Sequence, residues 1–150
     1  MDALRQGDPA LVETDIGPVI SAASRDRCMG VIERARETEA RLVAGGVLPE
    51  LPAHVAGGFF VPPTVFADVS PENALFRDEI FGPVVSVTPF DTEDEAVQLA
   101  NDGPYALGAS VWTRDILLAH RVVDRLKAGV VWINDHHKND PRSIWGGSGE

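Results

Sequence analysis

From Val84 onwards short apolar runs alternate with amphipathic ones, and this rhythm limits the possible folds more than any other feature of the chain. Residues 84–90 read as a strand. Thr92-Glu93-Asp94-Glu95 has the form of a capping box, a threonine followed three residues later by a glutamate, and it opens a helix over Ala96, Val97, Leu99 and Ala100. Asp102-Gly103-Pro104 stops that helix, and residues 107–112 give a second strand. Thr113 or Asp115 then caps a helix whose core face is Ile116, Ala119, Val122, Val123 and Leu126. Gly129 takes the next turn, and residues 130–133 form a third strand, apolar at every position. A strand that is apolar in both directions has no face to offer water. The pattern therefore predicts an α/β fold built on a parallel sheet with helices on both faces.

The first half is less regular. Residues 1–20 lack a sustained period and carry Gly7-Asp8-Pro9 and Gly17-Pro18 as turn signals. Ser21 has the chemistry of an N-cap, and the stretch to Ala44 reads as one helix, with Cys28, Val31, Ile32, Ala35 and Leu42 at helical spacing and Gly45-Gly46 ending it. Residues 47–58 read as loop. Phe59-Phe60-Val61 and Thr64-Val65-Phe66 are short strand candidates around a double proline that supplies no ladder N–H.

A chain of 150 residues is long enough to bury a sizeable core. Its net charge of −10, from 13 Lys+Arg against 23 Asp+Glu, argues against nucleic acid, whose phosphates call for clustered basic residues. No polybasic patch invites a membrane surface, and no apolar stretch approaches the about 20 residues that span a bilayer. The N-terminus lacks the apolar core of a signal peptide, and one cysteine forms no internal disulfide, which suits a cytoplasmic protein.

Asp78-Glu79-Ile80-Phe81-Gly82-Pro83 stands where irregular chain hands over to a strand. In extended backbone Glu79 and Phe81 project to one side, placing a carboxylate beside a flat ring. That pair suits a ribose, whose neighbouring hydroxyls both donate to a carboxylate; a solvated Glu flanking a core Phe explains the same six residues. Cys28 lies about two turns inside the expected helix, on its apolar side, where a thiol stays protonated and inert. Asn134-Asp135-His136-His137 invites a metal reading, but consecutive residues leaving a strand point apart and no spaced ligand pattern accompanies them, so no metal site is assigned. Glu93-Asp94-Glu95 are first-turn acids favoured by a helix dipole.

Glu79-Ile80-Phe81-Gly82-Pro83-Val84 resembles the Glu-x-Phe-Gly-Pro signature of the NAD(P)-dependent aldehyde dehydrogenase superfamily. The same family is echoed, in family order, by Asp15-Ile16-Gly17-Pro18-Val19-Ile20, Pro62-Pro63-Thr64-Val65-Phe66, Ala100-Asn101, Tyr105-Ala106-Leu107-Gly108-Ala109-Ser110, Gly129-Val130-Val131-Trp132-Ile133-Asn134 and Trp145-Gly146-Gly147. The resemblance implies that residues 1–150 are a partial catalytic domain, the C-terminal third of such an enzyme. The cofactor-binding domain, the nucleophile segment and the final oligomerisation strand would lie outside it. The implied reaction oxidises an aldehyde to a carboxylic acid with NAD or NADP, through a cysteine thiohemiacetal and thioester. The catalytic cysteine, glutamate base and oxyanion asparagine would all come from upstream, leaving no catalytic residue here. By resemblance Glu79 and Phe81 bind the cofactor at its nicotinamide-side ribose and ring. His137, Asn139 and Trp145 face the aldehyde entry channel, in a loop more polar than the usual family pattern. The implied partners are a small-molecule aldehyde and, in the complete enzyme, further copies of the subunit, with a lean toward the betaine and aromatic aldehyde branch. The alternative is a truncated, non-catalytic product serving as an assembly module.

Overall fold

The computed structural model describes residues 4–147, which fall into two compact units that meet in sequence between Pro89 and Phe90. In the first, an irregular segment is closed by the amides of Asp15 and Ile16 donating to the Arg5 carbonyl. Helix α1 (Ala22–Arg36) follows, its Ser21 cap accepting from the Ser24 amide at 3.1 Å, and it buries Cys28, Ile32 and Ala35. The helix ends at Arg36 instead of running to Ala44. Thr38 Oγ1 donates to the Ala35 carbonyl at 2.8 Å and so takes an acceptor that a further helical turn would need.

Residues expected to finish that helix are instead strand β1 (Arg41–Ala44), alternately exposed and half-buried. Strand β2 (Thr64–Ala67) pairs with it antiparallel, Leu42 opposite Phe66, with an irregularity between Leu42 and Ala44. Gly45 and Gly46, both at φ 79°, thus turn the chain out of a strand and not out of a helix. Phe59-Phe60-Val61 forms no strand, although Phe60 and Val61 are buried. A short helix α2 (Ala74–Arg77), capped by Asn73, precedes strand β3 (Val84–Val87), which pairs with β2 in parallel, Thr64 opposite Val84. The sheet order is β1-β2-β3, so this sheet is mixed where a purely parallel one was expected. Its core joins Cys28, Ile32 and Ala35 of α1 to Phe66, Val69, Leu75 and Ile80.

In the second unit, helix α3 (Glu93–Ala100) is capped by Thr92, whose hydroxyl accepts from the Glu95 amide at 3.2 Å. The Glu95 carboxylate reaches back to the Asp91 amide at 2.8 Å, one residue before the cap and so one residue beyond the usual reciprocal pattern. Strand β4 (Gly108–Val111) and strand β5 (Val130–Ile133) pair in parallel, Gly108 opposite Val130, as a separate two-stranded sheet. Helix α4 (Ile116–Val123) joins them, with Asp115 as its cap. Of its expected core face, Ala119 is wholly buried whereas Ile116 is 59% exposed. Strand β5 is half-buried at all four positions. Asn101 ties the ends of α3 and α4, donating to the Arg125 carbonyl at 2.9 Å and accepting from the Lys127 amide at 2.7 Å.

Arg121 and Arg125 of this second unit grip Glu93 at 2.6 and 3.3 Å, and Arg125 also holds Asp94 at 2.7 Å. The Arg121 hydrogen bond holds the Glu93 carboxyl below its ordinary titration range, with the charges of both arginines adding to it, and Arg121 is raised in turn. A carboxyl depressed in the folded state favours folding above its unfolded titration range and loses that contribution as pH falls through the folded one. The group lies at the surface, so salt weakens the effect. Replacing Arg121 by Ala is expected to move the Glu93 midpoint upward in a carboxyl-detected NMR titration; an unchanged midpoint would show that the pair does not persist in solution.

Candidate functional site

The chain leaves α2 through Asp78, whose amide donates to the Ala74 carbonyl at 2.9 Å, and enters the Glu79–Pro83 turn. Ile80 goes down into the core at 9% exposure, while Glu79 and Phe81 are both exposed, Phe81 at 75%. Exposure alternates along Glu79, Ile80 and Phe81, but the extended backbone expected to set both side chains on one side is not kept. Phe81 has φ 56°, so its backbone is left-handed and not extended. A bulky residue in that region carries about 1–3 kcal/mol of strain and stays there only when its surroundings hold it. A core Phe beside a solvated Glu does not describe this turn, because the ring stands in solvent.

Beyond it the Val84 amide donates to the Gly82 carbonyl at 2.7 Å, a tight reversal around Pro83, and the Thr64 amide donates to the Pro83 carbonyl at 2.9 Å, fixing the turn to β2. Below lies Cys28, 0% exposed as its place in the apolar pattern predicted. Its Sγ lies 3.8 Å from the Ile80 carbonyl oxygen and 4.0 Å from that of Phe81. A Cβ on Gly82 would come within 2.5 Å of that sulfur, so residue 82 has to be glycine for the turn to sit this low. The turn presents an exposed carboxylate and an exposed apolar ring on a braced support.

The second candidate region is the loop after β5. Asn134, at φ 52°, turns the chain, and its side chain mimics a peptide: Oδ1 accepts from the Thr113 amide at 2.9 Å and Nδ2 donates to the Thr113 carbonyl at 2.8 Å. The next residues do not point apart as expected. His137 lies at φ 57°, and the rings of His136 and His137 stack with centroids 4.0 Å apart. Trp132 of β5 meets both histidines edge-on, at 5.5 and 6.1 Å, and meets Trp145 at 5.8 Å. Its indole N–H donates to the Lys138 carbonyl at 2.9 Å, and His136 Nδ1 lies 2.8 Å from Ser110 Oγ.

His137 and Trp145 are thus gathered around one indole, and Trp145, at 49% exposure, is not a core residue. Asn139 is exposed in the same loop. Lys138 Nζ lies 2.6 Å from Asp135 Oδ2; this hydrogen bond, then the His136 amide, holds the Asp135 carboxyl below its ordinary range. Sequence reasoning passed over Trp132 as one more apolar strand position, yet it is the platform of the loop. Its place two residues before Asn134 was the available signal. Among the described residues no group of three or more His, Cys, Asp or Glu could hold a metal ion. No described helix is long and apolar enough to cross a membrane.

The whole chain, residues 1–150, matches the model of the aldehyde dehydrogenase family. The chain belongs to that family. It is 46% identical over 148 residues to a betaine aldehyde dehydrogenase of Rhizobium etli, covering 98% of this chain and 30% of that protein. It is 41% identical over 147 residues to a 2-hydroxymuconic semialdehyde dehydrogenase of Pseudomonas putida, again over 98% of this chain and 30% of the relative. The crystal structure of Mycobacterium tuberculosis aldehyde dehydrogenase complexed with NAD+ superposes with a TM-score of 0.91 at 41% identity, covering 99% of this chain and 30% of that one. The aldehyde dehydrogenase fold therefore holds for this α/β chain, which spans about 30% of the length of the relatives it matches.

Proposed function

We propose that this chain is the part of an NAD(P)+-dependent aldehyde dehydrogenase that lies after the nucleophile, and that the complete enzyme oxidises a small aldehyde to its carboxylic acid. NAD(P)+, when bound, supplies the hydride acceptor. Glu79 accepts hydrogen bonds from the two hydroxyls of the nicotinamide-side ribose, and Phe81 bounds the ring. His137, Asn139 and Trp145 line the aldehyde entry, with the His137 and Trp145 rings packed against Trp132. The nucleophilic cysteine, the base and the oxyanion donor come from another part of the polypeptide. The complete enzyme is a cytoplasmic homo-oligomer. One observation carries the cofactor assignment: Glu79 and the strained Phe81 both stand exposed on a turn whose intervening residue, Ile80, is buried.

Positioning is what such a turn contributes, and a misplacement of about 1 Å at a reacting centre costs on the order of 100-fold in rate. Glu79→Gln in the complete enzyme keeps size and removes charge. Hydrogen bonds to a charged group contribute about 1.5–3 kcal/mol, so single-turnover hydride transfer should slow by about 10- to 100-fold with the ranking of aldehydes unchanged. Hydride kinetics equal to the parent's would reduce Glu79 to a solvated flanking residue.

A further inference from the structure

Both exposed residues of the turn depend on a backbone that neither of them sets. The Ile80 and Phe81 carbonyls turn toward α1, and consecutive residues of that helix meet them. Cys28 Sγ, from inside the core, lies 3.8 Å from the Ile80 oxygen and 4.0 Å from the Phe81 oxygen. Arg27 Nη2, from the exposed side of the helix, lies 3.5 Å from the Phe81 oxygen. The peptide thus held follows the one residue of the turn with a left-handed backbone, Phe81 at φ 56°. Gly82 leaves room for the sulfur at a distance no Cβ would permit.

We propose that Arg27 and Cys28 are positioning residues for the cofactor turn: together they hold the Phe81 carbonyl against α1 and thereby fix where the Glu79 carboxylate and the Phe81 ring stand. This rests on the assignment of that turn to the nicotinamide-side ribose. The thiol acts as a weak donor shared by two carbonyls and performs no chemistry, whereas the guanidinium closes the same peptide from the solvent side. Ile80, anchored in the core between the two exposed residues, sets the depth of the turn; the two α1 residues set its rotation.

The test uses the complete enzyme and compares NADH with adenosine diphosphate, which lacks the nicotinamide-side ribose and so does not reach this turn. Cys28→Ala and Arg27→Gln are each expected to weaken NADH binding by about threefold to tenfold, the size of one net hydrogen bond, with adenosine diphosphate binding unchanged. Cys28→Ser keeps a donor at the same position and is expected to restore NADH binding to within about twofold of the parent. Arg27 is exposed, so its variant carries the test even if Cys28→Ala unfolds. Parent-like NADH binding in Arg27→Gln and Cys28→Ala, with Glu79→Gln impaired, would overturn the positioning role alone. Parallel loss of both ligands with a lowered thermal midpoint would also overturn it, by showing a merely structural effect. Parent-like NADH binding in all three variants, Glu79→Gln included, would overturn the cofactor reading of the turn and this inference with it.

Discussion

Supplied with NAD+ and benzaldehyde, betaine aldehyde or acetaldehyde, the 150-residue chain by itself is expected to form no NADH above the uncatalysed rate. The reason is physical and sits at one residue. Thioester chemistry needs a thiolate that an aldehyde can reach, and such cysteines lie partly exposed in surroundings that favour the anion. Cys28 is the chain's one cysteine, and it is 0% exposed among Ile32, Ala35, Phe66 and Leu75, where an aldehyde does not reach its sulfur. On the proposed reading the nucleophile lies elsewhere in the polypeptide, and an enzyme without its nucleophile loses most of its rate enhancement, on the order of 10⁶-fold where measured. The assay is NADH absorbance with purified chain, with Cys28→Ser as its control. Turnover that vanishes in Cys28→Ser would mean that the buried thiol reacts, and would overturn both this expectation and the supporting role given to Cys28.

What the sequence made legible was local. Ser21 and Thr92 cap the helices they were expected to cap, and of the two candidates Thr113 and Asp115 the second caps α4, because an N-cap is decided within three residues of itself. Strands β3, β4 and β5 fall inside the apolar runs that announced them. Residues 41–44 were not legible, because Leu42 sits seven residues after Ala35 and satisfies a helical repeat as well as a strand. Pairing with Phe66, 24 residues on, decides for the strand. At the candidate site the Glu79–Phe81 pair was legible as a motif, and both residues stand exposed on either side of buried Ile80. The left-handed Phe81 was not, since nothing in a phenylalanine favours φ 56°. It is held by contacts from Arg27 and Cys28, more than 50 residues earlier in the chain. The histidine stack was missed for a related reason: extended backbone separates neighbours, and only the left-handed His137 folds one ring onto the other.

The largest effect on stability is expected from a single methyl group at residue 45. Gly45 lies at φ 79°, and a Cβ there would fall 1.7 Å from the Pro63 carbonyl oxygen, 2.7 Å from its carbon and 2.9 Å from Thr64 Cα. All three are backbone atoms, so no rotamer relieves the clash. Gly45→Ala combines a left-handed alanine with forced displacement of packed chain, together about 2–6 kcal/mol, a large share of the 5–15 kcal/mol that holds a domain. Two neighbours calibrate the result. Gly46 shares φ 79°, but a Cβ there meets Arg36 Nη2 and Leu42 Cδ2, the ends of side chains that can swing aside, so Gly46→Ala should cost less. Around Gly57 there is nothing within 4 Å, and Gly57→Ala should be close to neutral. Hydrogen exchange at the β1 and β2 amides, read beside denaturant unfolding, separates damage to this unit from damage elsewhere. The consequence reaches the site, because the Thr64 amide displaced by the new methyl is the donor that holds the Pro83 carbonyl, and Pro83 ends the turn bearing Glu79 and Phe81. Gly45→Ala in the complete enzyme should therefore weaken NADH binding at temperatures where the fold survives, whereas Gly57→Ala should not. Equal stability of the two variants would show that the approach of residues 45 and 63 is not made in solution.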